Sequence, residues 1–551
     1  MNLHDPTPPP GWSRRAWLTA AAVVGSGVAS AKPLPVAPLL SGLEGHRHPV
    51  DSHDPLTRRY VQQGVMLVYA FNPSEAARSF EAAALRDPGC TTAWWGLAWA
   101  LGPNINTDPD PADRPRIAGA LARAQVAARH APASVRELVS LLALRHPADG
   151  PMQEQAYAEA APALARRRPQ DAFVQLLAAE ALLNLHPYDW WLPGGQPQPW
   201  TPRIESLLRR SLALDPRQPG AHHYWIHLLE SSPQPARAKA SADFLRSAYS
   251  GAPHLLHMPS HIDLRTGRYA EAIAANQRAI AADAAYLAQV DAQSAYRVGY
   301  VAHNHHFLWA AAGMSGRQAL ALQAADEAFP AACGPGGRSP GTVTVQHLQA
   351  LPILTRQRFG LWEELARGTP PPDGPGGYAL ALWHAARACA FVRLGRAPEA
   401  RDEAARLQAL AADPALSSLK VKNLHPVGTL LALAGHQVRA EMAAVSGDHA
   451  GAVTALQAAV ALEDTLAYDE PHVVGAPLRQ ALGAALLAAG RPAQALQAYD
   501  EDLRHYPRNA WSLEGRARAL SALGRPAAAA ARAAADAAWS GVPRRPAGSR
   551  F

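Results

Sequence analysis

Residues 482–507 read LGAALLAAGRPAQALQAYDEDLRHYP, and the fold can be read from this stretch. Gly490 divides it into two segments at a turn. Gly483 and Ala495 are small residues placed where two helices could touch, and Pro507 ends the second segment. Two helices joined this way cannot bury their apolar faces alone, but a stack of such pairs can. The unit recurs. Gly524 takes the place of Gly490 one unit later, again within Gly-Arg-Pro-Ala. Near the other end of the chain, Gly64, Ala76, Phe80 and Pro88 repeat the offsets of Gly483, Ala495, Tyr499 and Pro507. Gly-Arg or Gly-Asp turns precede Ala-rich segments at Gly267, Gly316, Gly395 and Gly447.

This spacing resembles the tetratricopeptide repeat (TPR), a helix-turn-helix unit of about 34 residues. The resemblance spans nearly the whole chain and implies an all-α, TPR-like α-solenoid of stacked helix-turn-helix repeats over residues 55–539. Gaps between turn glycines run from about 34 to about 50 residues, so several repeats are degenerate or carry insertions. Three insertions are expected, at Gly102–Pro115, at the Trp-rich Pro187–Pro202 and at the Gly/Pro-rich Gly334–Gly341. Trp94 and Leu97 open a second helix pair. The segments WWGLAWALGPNIN, HHYWIHLLE, HLLHMPSHI, HNHHFLWA and DEPHVVGAPLRQ are similar to a set of exported, His-rich bacterial TPR proteins of uncharacterised function. Members of that set often carry His where this chain has Pro73, so a ligand used there would be missing here.

The chain has 551 residues, 48% of them hydrophobic and 18% charged, enough for a large core and unlike a disordered protein. Its net charge is +7. The basic residues are scattered Arg pairs with only Lys32, Lys239, Lys420 and Lys422 as lysines, and no basic stripe is interleaved with aromatics. Nucleic acid is therefore not an expected partner. Cys90, Cys333 and Cys389 form no C-x-x-C motif and no disulfide framework.

Residues 1–31 read as a twin-arginine-like signal peptide. Arg14-Arg15 precedes a modest apolar run from Ala16 to Val28, and Ala29-Ser30-Ala31 offers a small-residue cleavage site. An ordinary secretory signal that happens to carry Arg-Arg is the alternative. Export by the twin-arginine machinery would deliver the folded chain to the periplasm or beyond. Residues 32–54, with Pro33, Pro35 and Pro38, are expected to be a flexible linker, and residues 540–551 a disordered tail. No later apolar run is long enough to span a bilayer, so no stable membrane anchor is expected.

Histidine carries the chemistry. Nine of the 23 His lie between Ala221 and Phe307, under a sixth of the length. His223, His227 and Glu230 fall at offsets 0, 4 and 7, on one face if the segment is helical. His257 and His261 share the four-residue spacing, though Pro259 between them interrupts regular helix. His303 and His306 are three apart. All three clusters fall on expected first helices of successive pairs, which line the concave side of a TPR stack. Imidazoles with a carboxylate suit a transition metal, copper or zinc first, so the candidate metal ligands are His223, His227, Glu230, His257, His261, His303 and His306. One alternative makes these His hydrogen-bonded core residues. Another makes them, with Tyr224, Trp225, Tyr296, Tyr300 and Trp309, the lining of a peptide-binding groove. His46, His48 and His53 are read as part of the linker, and Glu470-Pro471-His472 as a turn. The chain has no P-loop, G-x-G-x-x-G or HExxH motif. Two functions remain open: an exported metalloprotein, either an oxidoreductase or a hydrolase, and a non-catalytic TPR scaffold that binds a peptide or partner protein.

Overall fold

The architecture is that of a computed structural model whose described residues are 37–550 without 149, 193, 291–293, 335–340 and 373–376. The expected signal peptide and most of the third insertion lie outside the described residues. Among these, regular structure is helical apart from an antiparallel pair of two-residue strands, Lys420–Val421 with His425–Pro426, and one isolated bridge. The chain is an all-α, TPR-like α-solenoid. Among the described residues, no helix is long and apolar enough to cross a membrane. The chain divides into two compact units, residues 1–228 and 229–551.

In the first unit the helices Pro55–Tyr69 and Pro73–Arg86 form the opening pair, and Thr91–Ala100 begins the next. Their starts are set locally. The side chains of Asp54 and Asn72 accept the amide protons of Thr57 and Glu75, and a proline follows each cap, where its missing N–H costs nothing. The wide offset between Gly64 and Phe80 then has a direct meaning. A Cβ on Gly64 would sit 2.7 Å from the Phe80 ring, and one on Gly96 would sit 2.2 Å from it. Two glycines from successive first helices thus enclose one buried aromatic ring.

The second unit ends in the same device. Helices Leu478–Ala488, Pro492–His505 and Ala510–Ala522 place Gly483 and Gly515 against opposite sides of Tyr499, where a Cβ would come within 2.4 and 2.1 Å of the phenol carbon. Gly490 turns between the first two helices at φ 70°, in the left-handed region open to glycine. Within this unit the chain also folds back on itself. Trp511 donates its indole N–H to Gly313 O at 2.8 Å, and the Tyr269 hydroxyl donates to Pro507 O at 3.0 Å. A Cβ on Gly267 would lie 2.1 Å from Pro507 O, so the terminal repeat seats directly on the turn that follows Arg265.

Both ends of the described chain make specific contacts. Residues 37–54 are irregular and are held by side chains of the first unit. Gln63 Oε1 accepts from Leu40 N at 2.7 Å, Gln62 exchanges hydrogen bonds with His48 N and O, and the His48 ring stacks on Trp95 and is buried. Asp51 caps the Thr91–Ala100 helix by accepting from Thr91 N and Thr92 N. Residues 540–550 make contacts of the same kind within the second unit. Arg545 pairs with Glu514, and buried Ser549 bonds Tyr499 OH at 2.7 Å and donates to Gln480 O. At the first of these ends, Asp51 satisfies amides that the start of a helix leaves open.

Candidate metal centre

The helix Pro219–Glu230 does carry His223, His227 and Glu230, all buried, and the division between the units falls just after Leu228. In the first unit His223 Nδ1 lies 2.6 Å from Tyr69 O. The His223 and His227 rings are 4.8 Å apart, with the Phe71 ring 4.3 Å from the former and 5.8 Å from the latter. Phe71 holds φ 51°, a costly conformation for a bulky residue, in the turn between the first two helices.

In the second unit the proline between His257 and His261 has the effect expected on the helix and none on the convergence. Pro253–His257 and Pro259–Arg265 are separate short helices joined at Met258. Their histidines still meet, with His257 Nε2 2.8 Å from His261 Nε2. Each ring's other nitrogen faces an oxygen. His257 Nδ1 is 2.7 Å from Asn276 Oδ1, and Asn276 is itself oriented by donating its amide to Ala272 O on the helix Tyr269–Leu287. His261 Nδ1 is 2.6 Å from Glu230 Oε2 and 2.9 Å from Glu470 Oε2. Tyr468 donates its hydroxyl to the same Glu230 oxygen at 2.8 Å.

His303 enters from the helix Ala302–Met314, which a five-residue π-helical stretch, Arg297–Val301, precedes. Such stretches are rare and often lie at functional sites. The His303 ring is 4.8 Å from His257 and 5.8 Å from His261. One ligand-type atom from each of His257, His261 and His303 falls within 4.8 Å of the others, and the same holds for Glu230, His261 and Glu470. These groups could hold a metal ion. Phe307 packs on all three imidazoles at 4.5 to 4.7 Å and makes the surroundings apolar.

The electrostatics separate His261 from His303. Burial alone would lower the His261 pKa, but the Glu230 and Glu470 carboxylates reverse this and raise it to about 10. His303 is driven well below the ordinary imidazole value by burial and then by its neighbour His257. It is therefore neutral at neutral pH, the form in which imidazole binds a metal.

The structure does not bring every candidate together. His306, three residues past His303, points elsewhere, with its ring 5.5 Å from His347. Glu230, His257, His261 and Glu470 are buried and His303 is half-buried, and the terminal repeat seats on the turn that follows Arg265. Sequence reading also missed functional partners. Glu470 and Tyr468 lie in a turn far beyond Glu230 along the chain, and Asn276 sits on a second helix. The only local signal was the Asp-Glu-Pro-His run at residues 469–472, which read as a turn; it is one, but its Glu470 side chain reaches His261. His472 stays outside the metal groups, with Nδ1 3.4 Å from Val474 O.

No known protein family profile matches the chain, and no curated protein does either. Solved structures similar to it include the human IFIT1 dimer with m7Gppp-AAAA, at TM-score 0.31 and 12% identity over 90% of this chain and 92% of that one. The TPR domain of P58(IPK) gives TM-score 0.22 at 12% identity over 85% and 98%. The APC/C hetero-tetramer Cut9–Hcn1 gives 0.26 at 12% over 88% and 94%. Likeness at such TM-scores carries no argument, and the fold stands on the helix pairs themselves.

Proposed function

We propose that this chain is an exported TPR-like metalloprotein that binds one transition-metal ion, copper or zinc, through the Nε2 atoms of His257 and His261 together with His303. One observation carries the reading. His257 Nε2 and His261 Nε2 face each other at 2.8 Å while both Nδ1 atoms are engaged with oxygens. The carboxylates beside it keep His261 protonated, so its Nε2–H lies between the two nitrogens, and a bound cation would take the place of that proton. Asn276, Glu230 and Glu470 then act as outer partners that fix the ring tautomers and orientations.

Three imidazoles leave a coordination position for water or substrate, as in catalytic rather than closed structural sites. A bound metal supplies either Lewis-acid or redox chemistry, so the reading extends to a metal-dependent hydrolase or oxidoreductase. Glu230 and Glu470 hold the His261 proton at Nδ1, and Phe307 excludes water from one side of the rings. Elemental analysis of protein purified without a His tag tests the reading. One copper or zinc per chain is expected; none, even after reconstitution with either ion, would leave the scaffold reading in its place. Export is supported by the Arg14-Arg15 pattern. Changing both to Lys should strand the precursor in the cytoplasm, and normal delivery of that variant would point to the ordinary secretory route.

A further inference from the structure

A second buried polar cluster lies in the same unit. His306 and His347, from the helices Ala302–Met314 and Val343–Arg358, are each 1% exposed. Neither Nε2 has a hydrogen-bond partner. His347 Nδ1 is 3.2 Å from Tyr378 OH. A phenol is the better donor of the two, so the His347 proton sits on Nε2, which leaves a buried donor aimed into the protein. Nearby stands Lys422, one of only four lysines in the chain. Its ammonium donates to Asp469 Oδ1 at 3.0 Å and to Glu470 O at 2.9 Å. Asp469 Oδ2 lies 3.2 Å from His425 Nε2. Burial lowers the pKa of His303, His306 and His347, and the charge of Lys422 lowers each further. On His306 and His347 the Lys422 charge acts more strongly than the opposing Asp469 carboxylate.

We propose that His306, His347 and Lys422 form an oxyanion subsite that takes a carboxylate group of the substrate handled at the neighbouring metal centre. The two imidazoles offer N–H donors, and the ammonium supplies the field that favours a negative guest. A second metal is the competing occupant. The Lys422 ammonium opposes it, and among the described residues the ligand atoms of His306, His347, His425 and Asp469 are not among those that gather within 4.8 Å of one another. The subsite joins the metal centre through Asp469 and Glu470, adjacent residues of which one holds Lys422 and the other His261. Only its assignment to the metal centre's substrate rests on the proposed metal function; the anion site itself does not.

The test is calorimetric titration of the metal-free full-length chain with acetate as the carboxylate probe, in chloride-free buffer. Saturable binding is expected in the wild type and in His257→Ala. It should weaken about tenfold or more in His347→Leu and Lys422→Met, and return in His347→Gln, which keeps a donor of similar reach. Should Lys422→Met fail to fold by circular dichroism, the His347 pair still decides. Absence of acetate binding to the metal-free wild type overturns the subsite, as does binding that His347→Leu leaves unchanged. Binding that appears only with metal present and ignores His347 makes acetate a metal ligand, which also overturns it. Binding that depends on His347 in a protein that never takes up metal would retain the anion site and remove the metal reading instead.

Discussion

Two regions of the second unit use one architecture for opposite ends. In the terminal repeat, the helix Leu478–Ala488 sets Leu478, Leu482 and Leu486 four residues apart, and all three are buried. In the His-rich region, His257 and His261 take the same four-residue spacing and the same burial. Leucines at these positions need only apolar neighbours. Imidazoles need a partner for every ring nitrogen, and those partners come from three other places: Asn276 on the following helix, Glu230 before it, and Glu470 far downstream. The terminal repeat has Gly490 turning between unbroken helices, whereas the His-rich region tolerates Pro259 and a π-helical stretch. Burial at helical spacing builds the stack, and the chemistry of what is buried sets how much of the remaining chain must be recruited to satisfy it.

The strongest separation of the two regions should come through the metal. His261→Ala should abolish stoichiometric metal content and with it the metal-dependent rise in Tm. That rise is worth about 4 kcal/mol when free metal is a thousandfold above its Kd. His472→Ala, on a ring outside the metal groups, should keep full metal content. Retained metal in His261→Ala would erase the distinction between the regions.

Gly515→Leu is the matching insult to the terminal repeat. Its Cβ would fall 2.1 Å from the buried Tyr499 ring, and the expected loss is about 1–3 kcal/mol in chemical denaturation. That loss should be the same with and without metal. A loss confined to the metal-loaded form would mean that the two regions are one cooperative site.

Glu470→Gln probes the outer partners of the His-rich region. It keeps the size of the side chain but weakens the hold on the His261 proton, and metal affinity should fall about tenfold to a hundredfold with metal-free Tm little changed. Competition against a chromogenic chelator would measure it, and unchanged affinity would make Glu470 a bystander.

A weaker effect is expected in pH dependence. Burial raises the pKa of Glu463 to about 8, although its carboxylate accepts from Leu478 N at 3.0 Å at the start of the terminal repeat. The native state therefore holds a proton that the unfolded chain releases near the usual carboxylate value. The sign follows: the contribution is full below about pH 4.5 and is lost as pH rises through about 8. Glu463→Gln should flatten that decline by up to about 1.4 kcal/mol per pH unit. Metal uptake in the His-rich region should run the other way and strengthen as pH rises, because ligand nitrogens must be free of protons. Urea denaturation and metal titration across pH 5–8 would show opposite slopes, and parallel ones would contradict the contrast.

The stack was legible in the sequence alone. The recurring offsets between glycine and aromatic ring at Gly64–Phe80 and Gly483–Tyr499, and the turn glycines, are local signals, because helix pairing brings together residues at fixed short separations. Legible too was that histidines would collect on successive first helices, with His257, His261 and His303 among them. The remainder needed the folded chain. That His306 turns toward His347 while His303 turns toward His257 depends on how the helix Ala302–Met314 is rotated against its neighbours, which a three-residue spacing does not fix. That Glu470, Tyr468 and Lys422 complete the two clusters depends on turns that return from far downstream of Glu230 and His261. That residues 37–54 and 540–550 are pinned depends on buried amides and hydroxyls meeting specific acceptors. Periodicity reports what a residue does along its own helix; hydrogen bonds and ligand geometry are settled by whichever distant groups the fold carries within about 3 Å.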